Sequence, residues 1–148
     1  MKKNESGRSM VEMLGVLAII GVLSVGGISG YTMAMNRYRA NEVVDMTNKY
    51  AVIVYSGWIT AKMMNNGTVP NNYSNPTFAS TGLFGSNNSV NGTTIALAAS
   101  NPIDEDGVDI VLTFDNKKIC QATATSLGIS NSGCATGNGS LTYTFKQS

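Results

Sequence analysis

A run of 24 uncharged residues, Met13 to Asn36, follows directly on the carboxylate of Glu12. A hydrocarbon core takes about 20 helical residues, so the run reads as a membrane-crossing helix. A carboxylate at the edge of such a segment is costly to desolvate, which makes Glu12 a functional candidate in need of a cationic partner. Lys2 and Lys3 precede the run, and basic residues on a flank keep that end in the cytoplasm, so the remainder of the chain faces outward. A secretory signal peptide is the competing reading. Its apolar stretch is shorter and ends in a small-x-small site, to which Ser29-Gly30-Tyr31-Thr32-Met33-Ala34 conforms poorly. No Cys near the amino terminus offers a lipoprotein site.

Met1-Lys2-Lys3-Asn4-Glu5-Ser6-Gly7 looks like a short, basic, Gly-ended leader, and Ser9-Met10-Val11-Glu12 follows it. Together these residues resemble the amino terminus of a type IV prepilin, of type IVb-like or minor pilin character. The resemblance implies cleavage after Gly7 by a prepilin peptidase, with Arg8 first and Glu12 fifth in the mature chain. Arg8 departs from the apolar first residue usual in the family, where the new amine is methylated. The implied layout is a leader over 1–7, an apolar transmembrane and assembly helix over 8–36, and a globular head over 37–148. The head divides into an amphipathic helix over 37–66, a connecting loop over 67–93, and a sheet with a disulfide loop over 94–148. The implied function is that of a structural subunit, held in the bacterial inner membrane and then polymerised by pilus assembly machinery into an extracellular filament for adhesion, motility, or DNA- or secretion-related roles. Its partners are then copies of itself. Two alternatives stand beside it: a pseudopilin of a type II secretion system, and a membrane-anchored binding domain that never polymerises.

Gly26, Gly30 and Ala34 recur every four residues, so they share one helix face and admit another helix closely. Glycine in a helix interior costs ~1 kcal/mol relative to alanine, which makes Gly26 to Gly30 the expected weak stretch. Pilin helices lose helical structure near such a position within the filament, so Gly26 and Gly30 join Arg8 and Glu12 as assembly residues. Beyond Asn36 the period persists while the character changes. Val43, Met46, Tyr50, Val54, Trp58 and Ala61 advance by three or four residues and mark an apolar stripe. That stripe, Tyr50 and Trp58 included, is expected in the core. The helix should end at Asn65-Asn66-Gly67. A helix from Ser9 to Asn65 would be ~85 Å long, so its first half needs lipid or copies of itself and its second half the rest of the chain.

Thr68 to Asn91 is rich in Asn, Ser, Gly and Thr and reads as an irregular connection anchored by Tyr73, Phe78, Leu83 and Phe84. Strands are expected at Thr94 to Ala98, Val108 to Phe114 and Leu141 to Phe145. Lys117 to Leu127 reads as a short helix capped by Asp115 or Asn116, with Ile119, Ala122, Thr123 and Leu127 inward and a strand as the alternative. The fold class is α+β: one very long helix packed on a small antiparallel sheet. Cys120 and Cys134 are the only cysteines, and both fall in the outward-facing part. An even count in an exported domain argues for a bridge, closing a loop of about 15 residues worth ~3 kcal/mol on a chain-entropy model. The enclosed residues are small and polar, so little apolar burial is expected of that loop.

Composition excludes several classes. The formal charge is +1, and loss of Lys2, Lys3 and Glu5 removes it before the termini are counted. No basic stripe argues for nucleic acid. The chain has no His, hence neither the commonest general base nor the commonest metal ligand. An enzyme is not expected, nor a cofactor. Asp104, Asp106 and Asp109 form the only acidic cluster, a weak calcium candidate beside its plainer reading as a solvated turn around Gly107. Beyond the leader, five Asn-x-Ser/Thr triplets with x other than Pro occur, at Asn66, Asn72, Asn87, Asn91 and Asn138; in so Asn-rich a chain they are expected to be chance matches.

Overall fold

The computed structural model describes residues 6–135 and 138–146, with side chains from Ser9 onward. The leader residues 1–5 lie outside the described residues, and of Gly7 and Arg8 only the helical backbone is described. Helix α1 spans Ser6–Met64. Gly26 to Gly30 is helical like the rest, so the expected weak stretch keeps its hydrogen-bonded turns in the single chain. The chain divides into two compact units between Met35 and Asn36.

In the second unit α1 contributes the core face that its periodicity foretold. Val43, Tyr50 and Val54 are buried, joined by Ala40, Thr47 and Ala51 at the same spacing. Thr47 is acceptable there because its hydroxyl donates to the Val43 carbonyl at 2.7 Å. Trp58 departs from expectation. It is half-buried, stacked on Tyr55 with centroids 6.1 Å apart and covered by the Lys62 ammonium at 5.1 Å. The core ends before it, since the Lys62–Glu105 ion pair brings the turn over α1 there and a polar roof replaces apolar contacts. The helix stops after Met64, where Asn66 and Gly67 turn left-handed at φ 53° and 87° and the Gly67 N–H donates to the Lys62 carbonyl.

Four strands form an antiparallel sheet in the order β2-β3-β4-β5: β2 Ser89–Val90, β3 Thr93–Leu97, β4 Gly107–Phe114 and β5 Gly139–Lys146. Before them lies a short strand β1, Leu83–Ser86. The connection expected over 67–93 is thus partly regular, and β2 belongs to the sheet. The Asn91-Gly92 turn between β2 and β3 has both residues at positive φ, the geometry a two-residue hairpin favours. The irregular part before β1 still anchors as expected through Phe78, which is buried edge-on against Tyr50 at 5.5 Å. In β4 the period of two is complete: Val108, Ile110, Leu112 and Phe114 are buried, while Asp109, Val111 and Thr113 face outward. The α+β expectation is met.

Helix α2, Lys117–Leu127, follows β4. Asn116 sits extended at its start and accepts from the N–H groups of Lys118 and Ile119, which makes it the cap. Gly128 closes the helix left-handed at φ 67°. Of the inward set, Ile119 and Thr123 are buried and Ala122 and Leu127 partly so. Cys120 and Ala124 are also wholly buried, so the disulfide loop buries more than its composition suggested. Small side chains are what allow this, because they let the α2 backbone approach the sheet closely.

Tyr50 supplies a solution test of this packing. Its hydroxyl donates to the Pro76 carbonyl at 2.8 Å, and burial pushes it up to about 12. The fold holds the neutral phenol, so the contribution is complete below pH 10, the ordinary phenol value, and is lost as the pH rises from about 10 to about 12. At 1.4 kcal/mol per unit, and with the group half ionised at pH 12, the loss reached there is about 2 kcal/mol. Denaturant titrations at pH 9 and pH 12 should show that loss. Tyr50→Phe should give up about 1 kcal/mol at neutral pH, one hydrogen bond, and flatten the alkaline decline. An undiminished decline in the variant would assign it to other groups.

Candidate assembly surface

The apolar part of α1 is bare. Every large apolar side chain from Met10 to Met33 is more than half exposed, and an 18-residue window of the helix reaches a mean hydropathy of 2.2 with none of it buried. Covering fourteen such side chains, at about 1.5–3 kcal/mol each, is worth of order 20 kcal/mol or more. That term outweighs any surface preference and requires a cover. The two best-placed hydroxyls in this stretch are already satisfied: Ser24 donates to the Ile20 carbonyl at 2.7 Å and Thr32 to the Ser29 carbonyl at 2.9 Å. Neither therefore opposes transfer into an apolar environment. The helix is long and apolar enough to cross a membrane.

Glu12 is exposed and is the one charged residue of the helix between Ser9 and Asn36. Gly26 and Gly30 lie one turn apart on a common face with Ala34, and a methyl group built on either glycine meets nothing within 4 Å. The face is open to a neighbour. Gly7 and Arg8 are helical at the backbone, and nothing else of them is described.

The head carries a second apolar strip that periodicity did not disclose. Val52 and Ile53 are exposed on the side of α1 away from the core, and Met63 and Met64 follow near its end. Two shallow grooves flank Val52, one completed by Leu83 and the other by Tyr55, Ile59 and Phe145. In the sequence these residues fall off the core stripe and read as scattered surface apolars. They become contiguous only because Leu83 and Phe145 arrive from distant positions.

The disulfide is formed between Cys120 and Cys134, with Cα atoms 5.7 Å apart, and both residues are buried. Gly139 makes this possible, since a side chain there would run into the Cys120 Sγ and the Cys134 backbone. The acidic turn is built otherwise than a metal site. Asp104 Oδ1 accepts from the N–H groups of Asp106 and Gly107 at 2.9 and 3.0 Å, which closes the turn. Among the described residues no three acidic, His or Cys side chains converge in a way that could hold a metal ion, Asp104, Asp106 and Asp109 included. Glu105 points elsewhere, to Lys62; that hydrogen bond and the lysine's charge lower its pKa. Compared with family models, with curated proteins and with solved structures, the chain finds no match in any of the three.

Proposed function

We propose that this chain is a structural subunit of a type IV pilus, processed after Gly7 and polymerised through its apolar amino-terminal helix. The observation that carries this reading is the bare helix of Met10 to Met33 with one carboxylate, Glu12, at its start. A single lipid anchor has no use for a carboxylate at that depth, whereas a bundle of such helices can pair it with a neighbour's amine. The second strip around Val52 supports polymerisation over a lone anchored domain, because a head that never meets copies of itself has no reason to keep Val52, Ile53 and Met63 in water. The disulfide favours a pilin over a pseudopilin, on the strength of the resemblance.

In this reading the subunit waits in the inner membrane and enters an extracellular filament on assembly. Electron microscopy of sheared cell-surface material, labelled for this chain, tests it. Filaments decorated along their length are expected, with a chain that begins at Arg8 by amino-terminal mass analysis. Gly7→Leu should leave the leader attached and abolish the filaments. Label confined to the membrane fraction, or a chain starting elsewhere, would remove the reading.

A further inference from the structure

The head is electrically two-ended. Where α1 enters it, Arg37, Tyr38 and Arg39 are all exposed, Tyr38 at 65%. Other segments are tied to that end. The Asn91 amide, in the turn between β2 and β3, donates to the Glu42 carboxylate at 2.7 Å and to the Arg39 carbonyl at 3.4 Å. The Asp115 N–H donates to the Gly92 carbonyl of the same turn at 3.1 Å. Since α2 starts two residues later, Lys117 and Lys118, both exposed, are brought to the end that carries the arginines. The last turn of α2 returns to α1, where the Ser126 hydroxyl donates to Asn41 Oδ1 at 3.3 Å. Among the described residues none of Arg37, Arg39, Lys117 and Lys118 is in an ion pair; Lys117 donates only to the Ala135 carbonyl. The carboxylates here are Asp115 and Glu42, the latter taken up by Asn91, while Asp45 is neutralised by Lys49. Four cations thus stand against two carboxylates. The opposite end reverses the sign, with Asp104, Glu105, Asp106 and Asp109 beside Lys62 and Lys146.

We propose that the basic end of the head binds the phosphate headgroups of anionic phospholipids in the membrane that its own helix crosses. Arg37 is the first residue after the uncharged run Met13 to Asn36, so the headgroups that meet the end of that run lie within one helical turn of Arg37, Tyr38 and Arg39. The anchor presents the lipid at a high effective concentration, and a modest preference is then enough to hold the head down. A tyrosine between two arginines is the composition of an interfacial belt, with the ring among the headgroups and the guanidinium groups on phosphate. Each Lys or Arg close to an anionic leaflet is worth about fivefold in binding, so an excess of two gives about thirtyfold over a zwitterionic surface. Connectivity favours a bilayer over an acidic protein as the occupant, because the chain itself brings lipid to Arg37, and a purely ionic partner would leave Tyr38 without a role. The proposal rests on the membrane reading of α1 and requires no filament.

Full-length protein in lipid nanodiscs tests it, with a fluorophore on Gln121→Cys, which is exposed on α2 one turn beyond Lys117 and Lys118, and a quencher on the lipid headgroups. In discs that mix phosphatidylglycerol with phosphatidylcholine the label should be quenched. In phosphatidylcholine alone the ratio of bound to free head should fall about thirtyfold, and high salt should lower it in the mixed discs. Replacing Arg37, Arg39, Lys117 and Lys118 together by Gln should abolish the difference between the lipids with circular dichroism unchanged. The same label on Ser100→Cys, exposed just before the acidic turn, should not respond. Equal quenching at position 121 in both lipids, or a lipid difference that survives the four substitutions, would overturn the proposal. An unquenched label together with cross-linking between positions 121 and 100 of two copies would overturn it too, assigning the basic end to the acidic turn of another chain. A chain that does not co-elute with the discs would remove the membrane reading itself, a failure distinct from these.

Discussion

Glu12→Ala is expected to give a processed, membrane-held chain that does not enter filaments. In the membrane the carboxylate can remain near the interface. In a bundle of helices like Met10 to Met33, nearly devoid of other polar groups, any charge left without its counterpart is strongly unfavourable. On the proposed function the counterpart of Glu12 is the amine created at Arg8 of the adjacent subunit, with the Arg8 guanidinium as a second donor able to make a bidentate contact. Deleting Glu12 leaves that cation buried alone, a loss of about 3–5 kcal/mol for a buried pair, or roughly 150- to 5000-fold in subunit addition. Glu12→Gln should do little better, since an amide accepts a hydrogen bond but supplies no charge. Quantifying sheared filaments against the membrane fraction decides the matter. Normal yield from both variants would show that Glu12 does not set the register.

Removing the disulfide is expected to be the most damaging change in the head. Cys120→Ala with Cys134→Ala frees a loop of about 15 residues in the unfolded chain, worth ~3 kcal/mol, which for a unit of this size lowers the melting temperature by about 10 °C. Cys120→Ser alone should be no milder, because it places a hydroxyl at a fully buried position packed against Gly139. Thermal melts of the purified full chain, with and without reductant, measure the effect. Thiol labelling of the denatured, non-reduced parent should find neither cysteine free. Membrane insertion should be unchanged in every variant, since Met13 to Asn36 has no share in the bridge. Reactive thiols in the parent, or melts insensitive to reductant, would contradict this account.

The long helix, its apolar first part and the odd position of Glu12 were legible from sequence because each depends on residues close along the chain. Length sets the membrane span, and a period of 3.6 sets the core face of Val43, Tyr50 and Val54. The same holds for the alternation of β4, for Asn116 and Gly128 as the two ends of α2, and for the left-handed stop at Asn66 and Gly67. Cys120 and Cys134 were a pair by arithmetic, there being no third cysteine. Tertiary structure decided the rest. Trp58 continues the core period yet leaves the core, because the acidic turn reaches α1 through Lys62 and puts polar groups over it. Ala124 looked idle in a polar loop and is buried, because its small size admits the sheet. Val52 and Ile59 acquire meaning only beside Leu83 and Phe145, and Lys117 and Lys118 join Arg37 and Arg39 only because α2 starts beside the Asn91-Gly92 turn. Local patterns state which face of an element is apolar. Which element covers that face, and which charges share an end of the head, depends on contacts between residues many positions apart, and those no window along the sequence contains.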